Sequence, residues 1–178
     1  MHKVKEVLIS REEIQSVVTR LAQQITRDYQ GKEIVIVGVL KGSFIFMADL
    51  VRQIPLPVVI DFMSVSSYYG GTKSSGVVKI IKDLDVDIEG KHVLIVEDIV
   101  DSGLTLANLK EMLMTRNPAS LRVCAAFDKP DRRKVDIAAE YTGMKIPDAF
   151  IIGYGLDYDG VYRNLPDVCV LSVDGGNE

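Results

Sequence analysis

Only two cysteines and two histidines occur in this chain. Cys124 and Cys169 sit far apart in apolar stretches, RVCAAF and DVCVLS, without metal-ligand spacing. That argues against a zinc site or a disulfide framework and for two buried, reduced thiols. His2 and His92 fall outside every cluster of chemical interest. No apolar run approaches the ~18 residues of a membrane span, and the N-terminal MHKVKEVLISREE lacks the apolar core of a secretory signal. No membrane partner and a cytoplasmic location are therefore expected. Positive charge is not in excess either. The 21 Lys and Arg against 25 Asp and Glu leave a formal net charge of −4, which gives no reason to expect a nucleic-acid partner. Two common phosphate motifs are missing, since neither G-x-x-x-x-G-K-[ST] nor G-x-G-x-x-G appears.

The composition that remains is that of an ordinary globular chain, 47% hydrophobic and 26% charged over 178 residues. One domain spanning 1–178 is expected, with no internal repeat or linker. Ser10 and Glu13 form a capping box before Ile14, Val17, Val18, Leu21, Ala22 and Ile25, which recur at helical spacing, and Gly31 suits the helix exit. IVIVGV (34–39) reads as a strand, followed by a glycine turn and a second helix near 44–52. VVIDFMSV, VVKIIK, LRVCAAF, FIIGY and VCVLS read as further strands. LANLKEMLMTRN places Leu106, Leu109, Met112 and Leu113 on one helical face, and Pro118 blocks its continuation. Strands alternating with helices predict an α/β fold, a mostly parallel central sheet flanked by helices, with the later strands as a small appendage.

One stretch departs from this routine. HVLIVEDIVDSGLT (92–105) carries the apolar run Val93–Val96 directly into Glu97, Asp98 and Asp101, with Ser102, Gly103 and Thr105 close behind. Carboxylates crowded at a strand end repel one another and are costly to take out of water. A single acid there could simply complement a helix N-terminus, but that does not account for the whole run. In open α/β sheets, ligands bind beyond the carboxyl ends of the strands. The Asp101–Thr105 turn can hold a phosphate on successive N–H groups and the Ser102 and Thr105 hydroxyls, with Gly103 allowing close approach. A sugar reconciles the two halves: carboxylates take ribose hydroxyls, directly or through Mg²⁺, while the turn holds the 5′-phosphate.

VLIVEDIVDSGLT resembles the phosphoribosyl-diphosphate (PRPP) motif of the type I phosphoribosyltransferases. GVLKGS, SSYYGG, DKP and IPDAFIIGYGLDYDGVYRNLP resemble its hypoxanthine-guanine branch, so the likeness runs from about Val37 to Pro166. It implies purine salvage: transfer of the phosphoribosyl group from PRPP to hypoxanthine or guanine, giving a nucleoside monophosphate and pyrophosphate. By that likeness Glu97 and Asp98 contact ribose hydroxyls and Mg²⁺, and Asp101 is the proton acceptor near the purine. Ser102, Gly103, Leu104 and Thr105 bind the 5′-phosphate, Leu104 standing where some relatives have Lys. Leu40, Lys41 and Gly42 form a pyrophosphate loop whose Leu–Lys peptide can be cis. Arg163 is a further pyrophosphate contact and Asp157 a further magnesium ligand. Lys129 hydrogen-bonds the purine 6-oxo group, which favours hypoxanthine or guanine over adenine. Phe150 stacks on the base and Ile151 reads its edge through the main chain. Ser67 and Tyr68 belong to a lid around 64–76, with Tyr69 where bacterial relatives often have Gly. The likeness also implies a small hood formed by terminal segments, base-binding hood segments around 148–166, and a homodimer or homotetramer. Transfer to another base such as xanthine is the nearest rival. A PRPP-sensing regulator that binds nucleic acid would be expected to add a basic face, and a PRPP synthetase-like kinase an ATP site. Neither feature is found.

Overall fold

The computed structural model describes residues 3–67 and 77–172. In chain order the elements are β1 (Lys3–Ile9), α1 (Arg11–Asp28), β2 (Ile34–Leu40), α2 (Phe44–Val51), β3 (Val58–Ser67), β4 (Val78–Lys82), β5 (His92–Val100), α3 (Leu104–Met114), β6 (Ser120–Asp128), β7 (Tyr141–Lys145), β8 (Ile151–Ile152) and β9 (Val168–Ser172). A short 3-10 turn, Pro130–Arg132, follows β6.

Six strands form the central sheet in the order β4-β3-β2-β5-β6-β7. All its pairings are parallel except that of β3 with β4. The apolar runs of β2 and β5 are buried on both faces, as expected of strands covered by helices on either side. Alternate residues face opposite layers. Ile34, Ile36, Leu94 and Val96 pack with Ile14, Val18, Leu21 and Ile25 of α1 and with Phe46 and Leu50 of α2. Val35, Val37, Val93 and Ile95 pack with Leu106, Leu109 and Leu113 of α3. Each such side chain contributes about 1.5–3 kcal/mol when fully buried.

The capping box at the start of α1 is formed in both directions, Ser10 with the Glu13 amide and Glu13 with the Ser10 amide. Beyond the other end, Gly31 takes a left-handed φ of 75°. The terminal segments come together: β1 and β9 pair antiparallel, and β8 joins them in a separate three-stranded sheet, the small hood. Cys124 and Cys169 are both free and buried.

Three elements differ from the sequence expectation. FIIGY is a strand only at Ile151–Ile152, because Gly153, Tyr154 and Gly155 all adopt positive φ and turn the chain out of extended conformation. β1 is a strand where the sequence suggested none. Val4 and Val7 are exposed, so the segment is held by its pairing with β9 rather than by a buried face of its own. β7 contains Gly143, where an added Cβ would meet the Ala126 carbonyl oxygen at 2.2 Å. That strand exists because of its close fit against β6.

Candidate active site

β2 and β5 lie side by side at the centre of the sheet. β2 leads through α2 to β3 on one side, while β5 leads through α3 to β6 on the other. Here the strand order reverses, and the loops leaving the carboxyl ends diverge to open a crevice. The chain after β2 and the chain after β5 supply the two walls.

The wall after β5 holds the acidic run. Glu97 and Asp98 belong to the strand itself, Glu97 pairing in register with Ala125. Glu97 is 9% exposed, and burial followed by repulsion from Asp98 raises its carboxyl well above the usual range. Burial also raises Asp98, to about 6, although the Ile99 amide donates to its Oδ1 at 2.7 Å and pulls the other way. The Arg163 guanidinium lowers Asp98 and the Asp157 carboxylate raises it, so both side chains of the distant 157–163 segment act on this position. They are themselves paired, Arg163 Nη2 to Asp157 Oδ1 at 3.1 Å, and Arg163 Nη1 donates to the Gly155 carbonyl at 2.7 Å.

Beyond Val100 the chain turns sharply into α3. Gly103 stands at the N-cap with φ 82°, a left-handed conformation that L side chains resist by about 1–2 kcal/mol. A Cβ there would also lie 2.5 Å from Ile137 Cγ2. The Ser102 hydroxyl accepts from the Leu104 amide at 3.3 Å. α3 has no capping side chain at Gly103 and no acid in its first turn, so its other leading N–H groups remain to bind an anion. Glu97, Asp101, Ser102, Gly103 and Thr105, with Val39, Val65 and Leu106, line one cavity of about 240 Å³.

The wall after β2 is the turn Leu40–Ser43. Its Leu40–Lys41 peptide is cis. Ser43 is fully buried and its hydroxyl donates to the Val39 carbonyl at 2.7 Å, tying the turn to the strand. Gly42 lies directly against the acids: a Cβ would come 1.8 Å from Asp98 Oδ2. From the other side, a Cβ on Gly155 would come 2.3 Å from the Gly42 carbonyl oxygen. Leu40–Gly42 is thus wedged between the β5 acids and the 153–157 turn, while Lys41 is exposed.

Lys129 follows β6, and its amide donates to the Val100 carbonyl at 2.9 Å. It is only 8% exposed, and its ammonium donates to the Ala149 carbonyl at 2.8 Å. Residues 148–151 are therefore fastened beside the end of β5. Phe150 is 47% exposed and meets Tyr158 edge to face at 5.4 Å. It is not the core aromatic that its apolar neighbours would suggest. Ile151 is buried in β8. Ser67 ends β3, whereas Tyr68 and Tyr69 lie outside the described residues, as does most of the 64–76 segment.

Sequence reasoning did not find Arg132 or Arg133. Arg132 Nε donates to Asp101 Oδ1 at 3.1 Å, and its Nη1 lies 3.7 Å from Asp148 Oδ1. Arg133 Nη1 donates to the Asp101 carbonyl at 2.7 Å while its other nitrogen pairs with Asp128. The only sign in the sequence was the run DRRK beside DKP, which reads equally well as a solvated surface.

A buried acidic strand end, an open helix start lining the same cavity and a second turn wedged against the acids make an arrangement that can take an anionic sugar. The phosphoribosyl transferase domain family matches residues 9–159, and the chain belongs to that family. Among its relatives, the hypoxanthine-guanine phosphoribosyltransferase of Staphylococcus aureus (strain Mu50) is 54% identical over 172 residues, 96% of each chain. A crystal structure of the hypoxanthine-guanine phosphoribosyltransferase of Bacillus anthracis superposes with a TM-score of 0.92 at 51% identity, covering 97% of this chain and 100% of that one. A Trypanosoma cruzi hypoxanthine phosphoribosyl transferase, studied for the role of its C-terminal region in oligomeric state and enzymatic activity, superposes with a TM-score of 0.91 at 46% identity, covering 95% and 92%.

Proposed function

We propose that this enzyme carries out purine salvage, transferring the 5-phosphoribosyl group of PRPP to hypoxanthine or guanine and releasing pyrophosphate. A bond forms between a purine nitrogen and ribose C1, the bond from C1 to pyrophosphate breaks, and the purine gives up one proton. Named relatives at high identity and coverage support the activity. The observation that carries the site is the single cavity in which Glu97, Asp101 and the Ser102–Thr105 turn converge.

Positive charge develops on the ribosyl ring as pyrophosphate leaves, and Glu97 and Asp98 favour that charge electrostatically. The Ser102–Thr105 turn fixes the 5′-phosphate, Leu104 contributing through its amide. The Leu40–Gly42 turn, with Lys41 projecting to solvent and Arg163 nearby, suits the departing pyrophosphate. Asp101 accepts the purine proton. Lys129 offers a donor to a 6-oxo group, Phe150 a stacking face and Ile151 main-chain groups for the purine edge. Ser67 and Tyr68 are assigned to a lid that excludes water from the reactive ribosyl carbon.

The acids suit Mg²⁺. Among the described residues no three His, Cys, Asp or Glu side chains are grouped to hold a metal by themselves. Oxygen ligands in small number are what Mg²⁺ uses when substrate phosphates and water complete its shell. Burial and the neighbouring Asp157 make a lone charge on Asp98 unfavourable, as expected of a carboxylate that awaits a cation. Glu97 and Asp98, and separately Asp157, would each contribute ligands to an ion whose shell substrate oxygens and water complete, and such an ion would neutralise the pyrophosphate charge. The chain is assigned to the cytoplasm; no described helix is long and apolar enough to cross a membrane. A homodimer or homotetramer is proposed, by likeness to a relative whose oligomeric state has been studied.

Asp101→Asn tests the central role. With Mg²⁺-PRPP and each of four purine bases, turnover of 6-oxopurines should fall by about 10² or more, while the KM for PRPP stays near that of the unaltered enzyme. Unchanged turnover would remove Asp101 as proton acceptor.

A further inference from the structure

Asp101 is gripped at two points by consecutive residues of one short turn. Its carbonyl accepts from Arg133, which is largely buried and paired with Asp128. Its carboxylate accepts from Arg132 Nε at 3.1 Å through Oδ1, and among the described residues Oδ2 takes part in no hydrogen bond. The turn that carries both arginines is rigid for local reasons. Pro130 opens it, and the Arg132 and Arg133 amides donate back to the Lys129 and Pro130 carbonyls at 3.1 and 3.2 Å. The Lys134 amide then donates to the Ser102 carbonyl at 2.9 Å, fastening the turn to the phosphate loop itself.

Arg132 also faces the other wall. Its Nη1 approaches Asp148, two residues before Phe150, and Lys129 in the same turn holds the Ala149 carbonyl. One guanidinium therefore spans the proton acceptor and the segment assigned to the base. A planar guanidinium occupying one carboxylate oxygen sets the rotation of the carboxyl group and leaves the second oxygen directed elsewhere. We infer that Arg132 is a positioning residue: it orients Asp101 so that Oδ2 meets the purine proton, and through Asp148 it keeps that oxygen in register with the base. This rests on the reading of Asp101 as proton acceptor.

Stability cannot be the purpose of the contact. Arg132 and Asp101 are 53% and 46% exposed, and ion pairs so open to water contribute only about 0–1 kcal/mol. Arg132→Ala should leave the thermal midpoint and the KM for PRPP nearly unchanged while lowering kcat about tenfold, the scale of a modest misplacement of a reacting group. Arg132→Lys keeps the charge without the fork and should stay below the unaltered enzyme. Free guanidinium ion should restore part of the turnover of Arg132→Ala, which a merely structural role would not allow.

The decisive experiment is a double-mutant cycle on kcat with a saturating 6-oxopurine and Mg²⁺-PRPP, using Asp101→Asn, Arg132→Ala and the pair together. Arg132→Ala should cost nothing further once Asp101 is Asn. The same tenfold loss in both backgrounds would overturn the inference and leave the role of Asp101 standing. Full turnover in Asp101→Asn would overturn both. Should Arg132→Ala not fold, Arg132→Lys carries the same cycle.

Discussion

Adding one methyl group at Gly42 tests how the two walls of the crevice depend on each other. In Gly42→Ala the new Cβ falls 1.8 Å from Asp98 Oδ2 and 2.7 Å from Asp98 Cγ, well inside van der Waals contact. Relief has few routes. Asp98 is held by the Ile99 amide at 2.7 Å. On the far side the Gly42 carbonyl already lies so close to Gly155 that a Cβ there would sit 2.3 Å away. Either the Asp98 carboxylate rotates out of its place or the Leu40–Gly42 turn lifts off it. Overpacking of this kind costs about 1–3 kcal/mol. Appearing as stability, about 2 kcal/mol lowers the thermal midpoint by roughly 4–8 °C in a domain of this size. Appearing as displacement of Asp98, the same energy lowers kcat/KM for PRPP by about 30-fold, at 1.4 kcal/mol per tenfold. Thermal unfolding and initial rates against PRPP at saturating purine separate the two. A variant with unaltered midpoint and unaltered kcat/KM would refute the claim that these walls are in contact.

The acid pair should also give the metal-free protein an unusual pH response. Glu97 and Asp98 hold their protons to higher pH when folded, Asp98 to about 6, whereas an unfolded Asp releases its proton at about 3.9. The folded state then binds the extra protons, so the contribution of Asp98 to stability is complete below about pH 4 and lost as pH rises through about 6. Denaturant unfolding in chelator should show Asp98→Asn gaining on the unaltered chain over that interval, by on the order of 3 kcal/mol; parallel curves would contradict it. Lys129→Ala removes the donor assigned to the 6-oxo group and the tether to Ala149. Its kcat/KM for hypoxanthine should fall by about 10²-fold with little change for adenine, and undiminished discrimination between the two would refute that assignment.

What could be read in the sequence and what could not divides along physical lines. α1 was legible because its capping box and apolar spacing are local signals, and both are satisfied in the fold. The acidic run was legible because its cost is local too: three carboxylates after an apolar strand demand an explanation before any partner is known. β1 and β7 were not. The first exposes Val4 and Val7 and the second is interrupted by Gly143, so each is defined by the strand beside it rather than by its own pattern. Arg132 and Arg133 were hidden for a related reason. Nothing within DRRK marks which arginine turns inward, and the answer lies with Asp101, Asp128 and Asp148 elsewhere in the chain.

The start of α3 carries a consequence for the whole domain. A helix normally ends its exposed amides with a side chain of its own, yet Gly103 supplies none. Leu106, Leu109 and Leu113, on the same helix, are central to the packing against β2, β5 and β6. A phosphate seated on the turn would therefore act as the missing terminal residue of a core helix. Substrate would then complete the fold as well as occupy it, so that catalytic affinity and conformational order draw on one free energy.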